Sequence, residues 1–143
     1  MNYEKGLRGM EGYLNDLSHV FIGMVLILVM MALGYFIFSK LTKFNDYAEI
    51  QKGNEAAGIY MGGKLLGLAI IVGMVSYSTD AWVDMIIWSV VGIVALCLVY
   101  IIFDFLTPAL HVCEEIEKGN KSVAQLLRSI IVGVSLVIGT FLM

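Results

Sequence analysis

The chain has little charge, and long stretches have almost none. Charged residues make up 15% and hydrophobic residues 59% of the 143 positions, whereas a soluble domain is typically about a quarter charged. Residues 17–38 and 85–103 contain no Asp, Glu, Lys or Arg, and residues 56–77 and 122–143 carry one charge each. Each segment exceeds the roughly 18 apolar residues that indicate a membrane-spanning helix. The scarcity of charge therefore excludes a soluble globular domain and predicts an all-α integral membrane protein with four transmembrane helices.

Cysteine, histidine and basic clusters are also scarce. Cys97 and Cys113 form no metal-binding motif, and we expect two free thiols. His19 lies near Asp16, but His111 is expected on the other side of the membrane, so a metal site lacks ligands and no cofactor is predicted. The absence of a basic cluster or RNA-binding motif predicts no nucleic-acid partner.

One charged hexapeptide occurs twice. Residues 49–54 read EIQKGN and residues 115–120 read EIEKGN, with five of six positions identical. Upstream, YFIFSKLT (35–42) aligns with YIIFDFLT (100–107) at five of eight positions. A general excess of apolar residues would not repeat Glu, Lys, Gly and Asn in the same order. The pattern therefore predicts an internal repeat. Because each copy holds two spans, we expect two tandem parallel helical-hairpin repeats in a four-helix bundle.

The predicted organisation is a single membrane domain over residues 1–143. Repeat one covers about 17–77 and repeat two about 84–143. Residues 1–16 do not resemble a signal peptide, so we expect the first span to be retained. Apolar residues recur at helical spacing through this segment and into the start of the first span, and they predict an amphipathic tail over 1–16 on the membrane surface. They are Tyr3, Leu7, Met10, Leu14 and Leu17.

A short polar elbow joins the two spans of each repeat. Its threonine is the predicted N-cap of an interfacial helix, over 43–52 in the first elbow and 108–118 in the second. Its glycine is expected to end that helix in the left-handed conformation, and the following asparagine to cap the next span. Its Glu and Lys form an i,i+3 pair. The residues of this structural motif are Thr42, Glu49, Gly53, Asn54, Thr107, Glu115, Gly119 and Asn120.

The distribution of basic residues predicts the orientation. The two elbow loops hold five lysines, whereas the opposite side has only Lys5 and Arg8. By the positive-inside rule, the elbow loops are expected in the cytoplasm and both termini outside.

Three charged residues inside or next to the spans are candidate sites for lipid binding or for a pore. Lys64 and Arg128 lie in apolar runs near the elbow side. Their side chains would extend to lipid headgroups, line a pore, or pair with Asp104 inside the membrane. Asp104 itself ends the third span and is expected to be an ordinary interfacial residue, with cation binding or a pair with Arg128 as the alternatives.

Small residues recur four positions apart in the second and fourth spans. Such spacing lets helices approach closely. The pattern leaves open whether this face closes the bundle or joins copies in a homo-oligomer. The predicted helix-packing glycines are Gly58, Gly62, Gly63, Gly67, Gly133 and Gly139.

The pattern F-x-x-L-T, followed by E-I-x-K-G-N-x-A-A and a Gly-rich span, resembles the YjfL-like bacterial inner-membrane proteins, catalogued as domain of unknown function 350. The resemblance covers essentially the whole chain and implies a multi-pass protein of the bacterial cytoplasmic membrane. It supplies no catalytic residues, and Lys64 departs from the family's expected pattern. Relatives tend to be encoded near phage-shock-type membrane-stress proteins and near enzymes of polyamine or glutathionylspermidine metabolism, which implies a membrane-stress protein as a candidate partner.

The sequence leaves several function classes open. It contains no nucleophile–base, phosphate-loop or paired-carboxylate arrangement, so we expect a protein that is not an enzyme, although a membrane-enzyme subunit is a third hypothesis. The first hypothesis is an oligomeric scaffold or membrane-stress partner whose elbows face lipid headgroups or a cytoplasmic protein. The second is a channel or transporter subunit with a polar path near Lys64, Asp104 and Arg128.

Overall fold

A computed structural model describes residues 2–143, including their side chains except at positions 2, 4 and 5. This part of the chain is helical almost throughout, and the short segments between helices are turns. The elements are α1 (Asn2–Leu41), α2 (Asp46–Gln51), α3 (Glu55–Ser78), α4 (Trp82–Leu106), a 3₁₀ helix (Pro108–Leu110), α5 (Val112–Glu117) and α6 (Lys121–Leu142).

Four of these helices are long and apolar enough to cross a membrane. They are α1, in which the candidate span is Gly6–Leu41, together with α3, α4 and α6. Within the described residues, the predicted all-helical class is confirmed, and each predicted span falls on one of these four candidate helices. The two short helices, α2 and α5, lie in the predicted elbows between the spans.

Helix α3 lies at the centre of the bundle and packs along α6, with α1 and α4 as further neighbours. Its buried side chains include Tyr60, Leu68 and Ile71, each with no exposed surface. Gly63 allows the close approach of α6, because a Cβ on this residue would lie 2.9 Å from the Arg128 Cα. Both α3 and α6 start at an elbow, so the two helices run in the same direction.

Helix α1 extends well beyond the other helices. Its 40 residues give a length of about 60 Å at 1.5 Å per residue. The His19 ring stacks on Trp82, at the start of α4, with 6.0 Å between ring centroids, so the residues before His19 project past that end of the bundle. The tail predicted to lie on the membrane surface is continuous with the first span from residue 2 onward. Residue 1 lies outside the described residues. A change of direction needs a break in the helix, and Asn2–Leu41 has none.

The first elbow helix begins later than predicted, and Thr42 is not its N-cap. Asn45 occupies that position, and its side-chain oxygen accepts hydrogen bonds from the N–H groups of Tyr47 and Ala48 at 3.1 and 3.2 Å. The Thr42 hydroxyl instead donates to the Ser39 carbonyl at 2.8 Å. Thr42 lies three residues before Asn45, the N-cap of α2, so its hydroxyl closes the end of α1 instead.

The second elbow is divided into two pieces where one helix over 108–118 was predicted. Thr107 precedes the 3₁₀ helix but makes no side-chain cap bond, and its hydroxyl donates to the Phe103 carbonyl at 2.7 Å. His111, with φ of +40°, then separates the 3₁₀ helix from α5. A left-handed residue cannot continue a right-handed helix, so α5 starts only at Val112.

Candidate functional site

The Gly-Asn turn has nearly the same geometry in both elbows. Gly53 and Gly119 have φ of +83° and +82°, in the left-handed region that glycine adopts at the lowest cost. The N–H of Asn54 and that of Asn120 each donate to the carbonyl five residues earlier, at 3.0 and 2.9 Å. The predicted left-handed glycines are confirmed, and each turn redirects the chain from a short helix into a long one.

The asparagine of each turn caps the following helix, as predicted. The Oδ1 atoms of Asn54 and Asn120 accept from the backbone N–H groups two and three residues later, at 3.1 and 3.3 Å in both elbows. Their Nδ2 atoms donate to Glu49 at 3.2 Å and to Glu115 at 2.7 Å. Each side chain thus joins the end of one helix to the start of the next.

The glutamate of each elbow is held in its charged form. Each accepts from the lysine three residues later, at 2.8 Å in the first elbow and 3.2 Å in the second. Hydrogen bonds from Lys52 and then Asn54 lower the pKa of Glu49. The pKa of Glu115 is also lowered, chiefly by the Asn120 amide and then by its lysine. The carboxylate form is therefore favoured in both elbows, chiefly by the lysine in the first and by the asparagine in the second.

The two elbows contact each other directly. Asn54 Nδ2 donates to the Ile116 carbonyl at 2.8 Å and to the Glu117 carbonyl at 3.3 Å. Lys121, in the first turn of α6, pairs with Glu55, in the first turn of α3, at 2.5 Å. These bonds connect residues more than sixty positions apart and join both elbows into one surface.

An open cleft of about 400 Å³ lies between the two Gly-Asn turns, and we call it the elbow cleft. Both glycines and Asn54 line it, together with equal numbers of positive and negative side chains. The charged residues of the elbow cleft are Lys52, Lys118, Lys121, Glu49, Glu55 and Glu117. Four of these six charges form ion pairs within the cleft, Lys52 with Glu49 and Lys121 with Glu55. The surface is therefore close to neutral and favours neither a simple anion nor a simple cation.

A buried ion pair fixes the first elbow to the bundle. Lys64 Nζ, on α3, donates to Asp46 Oδ2, on α2, at 2.6 Å, and the side chains are 0% and 1% exposed. The Ser39 hydroxyl, near the end of α1, donates to the same oxygen at 3.1 Å. One carboxylate thus links three helices.

Aromatic rings surround the ammonium group. Lys64 Nζ lies 4.2 Å from the ring centroid of Tyr60, 5.4 Å from that of Phe38 and 6.0 Å from that of Phe44. The face of an aromatic ring attracts a cation, and this attraction is stronger where water is excluded. Asp46 Oδ1 and the Tyr60 hydroxyl have no hydrogen-bond partner among the described residues, which is unfavourable for buried polar atoms. The pair is therefore enclosed but incompletely satisfied.

The second elbow has no counterpart to this pair. At the 66-residue offset of the predicted repeat, Val112 lies at the position of Asp46 and Ile130 at that of Lys64. Val112 is 3% exposed and belongs to the apolar core. Both charges are replaced together by apolar residues, as expected for two positions that depend on each other.

Comparison with known proteins identifies the family. A family model described as Domain of Unknown Function (DUF350) matches residues 12–142. The chain belongs to the DUF350 family. It is 38% identical over 102 residues to the UPF0719 transmembrane protein YshE of Bacillus subtilis, covering 71% of this chain and 76% of YshE. It is 28% identical over 93 residues to the UPF0719 inner membrane protein YjfL of Escherichia coli K12, covering 65% and 67%. No solved structure matches.

These comparisons confirm the resemblance to the YjfL-like family. They also support the assignment as a membrane protein, because the relatives are described as transmembrane and inner membrane proteins and four helices of this DUF350 chain are apolar and long enough to span.

The structure does not bring the three candidate charges of this DUF350 protein together. Lys64 is fully buried against Asp46, so it neither reaches lipid headgroups nor pairs with Asp104. Asp104 and Arg128 are exposed on α4 and α6, and neither forms an ion pair with another described residue. The expectation for Lys64 is wrong because the elbow helix folds back over it. Among the residues that the structure describes, no polar path joins all three.

The predicted packing glycines divide into two sets. A Cβ on Gly67 would lie 2.5 Å from the Ser135 hydroxyl, and one on Gly139 would lie close to Met74, so these two join Gly63 between α3 and α6. Added Cβ atoms at Gly58, Gly62 and Gly133 would meet nothing within 4 Å among the described atoms. The second set lies on the outside of the bundle.

Sequence reasoning missed Asp46, its partner Ser39 and the aromatic rings around Lys64. Asp46 lies in the elbow, 18 residues from Lys64, so no local spacing relates the two. A comparison across the predicted repeat could have indicated the pair, because the positions 66 residues after Asp46 and Lys64 are both apolar.

Proposed function

We propose that this protein is a small homo-oligomeric scaffold of the bacterial inner membrane that presents the elbow cleft to a cytoplasmic protein partner. The observation that carries the proposal is the connection between the elbows. Asn54 bonds to the backbone of the second elbow, Lys121 pairs with Glu55, and Asp46 fixes the first elbow to the bundle. A preformed surface binds a partner without first losing conformational freedom.

The proposed architecture has two tandem parallel hairpin repeats. The matching turn angles of Gly53 and Gly119 and the matching asparagine caps support it. The positive-inside rule supports cytoplasmic elbows and external termini. The family members named as inner membrane proteins support the location.

The chemistry of the elbow surface favours a protein partner at the cleft and lipid at its edge. The six charged groups of the elbow cleft are balanced, and a membrane-stress protein of the phage-shock type is the candidate partner. Outside the cleft, Lys40 and Lys43 are exposed near the end of α1 and would contact anionic headgroups. We propose a binding role for these charges and no catalytic one.

The channel hypothesis has weaker support. Its polar path requires Lys64, Asp104 and Arg128 to line a common passage. Lys64 is instead enclosed by three aromatic rings, and the core beside it is formed by apolar residues such as Leu68 and Ile71. The geometry therefore favours the scaffold.

Site-specific photo-crosslinking in bacterial cells tests the proposal. A photoreactive residue at Glu117 or Lys118, on the rim of the elbow cleft, is expected to yield a discrete protein adduct. The matched control is the same residue at Tyr77, which is exposed at the opposite end of α3. An absence of adducts from the cleft, together with ion flux through the purified protein that changes in Lys64→Ala, would replace the scaffold with the channel.

A further inference from the structure

An apolar stripe on α1 is not covered by any described part of the chain. Its members follow one another at alternating spacings of four and three residues, and their exposed fractions range from 47% to 84%. They are Tyr3, Leu7, Met10, Leu14, Leu17, Phe21, Met24 and Leu28. We call this set the α1 stripe.

The α1 stripe repeats every seven residues. The period is distinct between Tyr3 and Leu17, where glycine, charged or polar residues occupy most of the other positions. From Val20 onward the other exposed sides of α1 are apolar as well, as contact with lipid requires. A seven-residue apolar repeat is the pattern by which two helices wind around each other, with the stripe at the a and d positions. The charged residues Arg8, Glu11 and Asp16 all lie off the stripe. The pattern thus separates apolar from charged residues along the part of α1 before the bundle.

The stripe does not face the protein's own bundle. The face of α1 that packs on the other helices contains Met30, Gly34 and Phe38. At 100° per residue, the centre of the α1 stripe lies about 120° around the helix from that face. Neither α3 nor α4 can therefore cover it.

Part of the stripe lies beyond the other helices. The residues of α1 that precede His19 continue for about 25 Å past the level of Trp82. Five stripe residues, from Tyr3 to Leu17, fall in this projecting part. On a helix surrounded by water, each such exposed apolar side chain would be unfavourable, so the stripe requires a cover there.

We propose that α1 pairs with α1 of a second copy along the stripe, as a parallel two-stranded coiled coil. This inference rests on the proposed homo-oligomeric scaffold and names its interface. All copies insert into the membrane in the same direction, so the paired helices must be parallel, related by an axis along the membrane normal.

The size of the stripe is sufficient for such a pair. Its eight side chains would bury about 600–800 Å² per chain. A standard protein interface buries about 800 Å² per partner. Because both copies contribute the same residues, the stripe is its own complement.

Disulfide trapping in native membranes tests the pairing. The full-length chain first receives Cys97→Ala and Cys113→Ser, and then either Leu14→Cys, at an a position, or the matched control Asn15→Cys, at a neighbouring outward b position. Because a residues face each other and b residues point away, mild oxidation is expected to give at least about tenfold more dimer from Leu14→Cys. Equal yields from the two variants, or no dimer from Leu14→Cys, would overturn the pairing.

A second variant distinguishes this interface from the proposed function. Leu7→Glu with Leu14→Glu is expected to shift the purified protein from dimer to monomer by light scattering, while the Glu117 photo-adduct remains. A dimer that persists in the double variant overturns the coiled coil and leaves the scaffold standing. If the protein without the Glu substitutions gives no cleft adduct while Leu14→Cys dimers still form, the scaffold is refuted instead. If the stripe instead lies in the headgroup plane, the Leu14→Cys protein will stay monomeric and its thiol will be shielded from water-soluble reagents. That result also overturns the pairing.

Discussion

The first and second elbows share one turn but attach to the bundle through different chemistry. In the first, Asp46 and Lys64 form a buried ion pair of 2.6 Å inside a set of aromatic rings. In the second, Val112 and Ile116 insert apolar side chains, 3% and 0% exposed. The Gly-Asn turns are otherwise nearly superimposable in φ.

This difference separates the demands of the turn from those of its attachment. The turn needs glycine for its positive φ and asparagine for its cap, so both copies keep them. The attachment needs only a buried side chain that is either apolar in an apolar environment or paired with an opposite charge. An apolar contact meets that need at little desolvation cost, whereas an ion pair must first lose its water. The ion pair joins α2 to α3, and the Ser39 bond to the same carboxylate joins it to α1.

The largest expected effect comes from breaking the ion pair. Asp46→Val leaves Lys64 buried without its partner, and we expect the free energy of unfolding to fall by about 3–5 kcal/mol. Denaturant titration in mixed micelles, followed by far-UV circular dichroism, measures this change. The matched control is the double variant Asp46→Val with Lys64→Ile, which copies the second elbow and should recover most of the loss. A double variant as unstable as the single one would show that the charges are not coupled.

The next effect compares two glycines at equivalent repeat positions. Gly67→Ala places a methyl group against Ser135 and Ile131, and overpacking of this kind costs about 1–3 kcal/mol. Gly133→Ala meets nothing within 4 Å and should be neutral or stabilising by up to about 1 kcal/mol, because alanine favours the helix. The same unfolding titration measures both, and equal losses would contradict the described packing of α3 on α6.

A smaller difference is expected between the two capping asparagines. Asn54→Ala and Asn120→Ala each remove a cap worth about 0.5–2 kcal/mol. Asn54→Ala also removes the bond to the Ile116 carbonyl, so it should destabilise by about 1 kcal/mol more. Unfolding titrations of the two variants side by side give the difference. If Asn120→Ala is the more damaging, the contact between the elbows contributes nothing.

The smallest effect concerns the two elbow glutamates. Lys52→Ala should raise the pKa of Glu49 more than Lys118→Ala raises that of Glu115, because lysine is the leading contact only in the first elbow. Carboxyl chemical shifts recorded by NMR against pH measure both. A carboxyl with a lowered folded-state pKa stabilises the fold above its unfolded pKa of roughly 4.3, and this contribution is lost as the pH falls through the folded-state value. Equal pKa shifts of Glu49 and Glu115 would show that lysine contributes equally in the two elbows.

Local patterns in the sequence predicted the elements that depend on local chemistry. The four spans follow from runs of apolar residues, and the glycine and asparagine roles follow from backbone sterics and capping, which act within a few residues. Thr42 was misassigned because α2 begins three residues later than predicted, with Asn45 as its N-cap. The Thr42 hydroxyl donates to the Ser39 carbonyl at the end of α1.

The environment of Lys64 was not predictable in this way. Its partner lies on another helix, and whether a lysine in an apolar run faces lipid or protein depends on how the elbow folds back. The division of the glycines has the same origin, since Gly67 and Gly133 occupy equivalent repeat positions but only Gly67 faces a neighbouring helix.

The sequence by itself thus determined the class, the four spans and the repeated turn, because hydropathy and backbone conformation are properties of short segments. Only the tertiary structure decided that Asp46 neutralises Lys64, that Asn54 reaches the second elbow, and that α1 carries an uncovered stripe past the bundle. Those features depend on distances between residues far apart in the chain, and packing alone sets such distances.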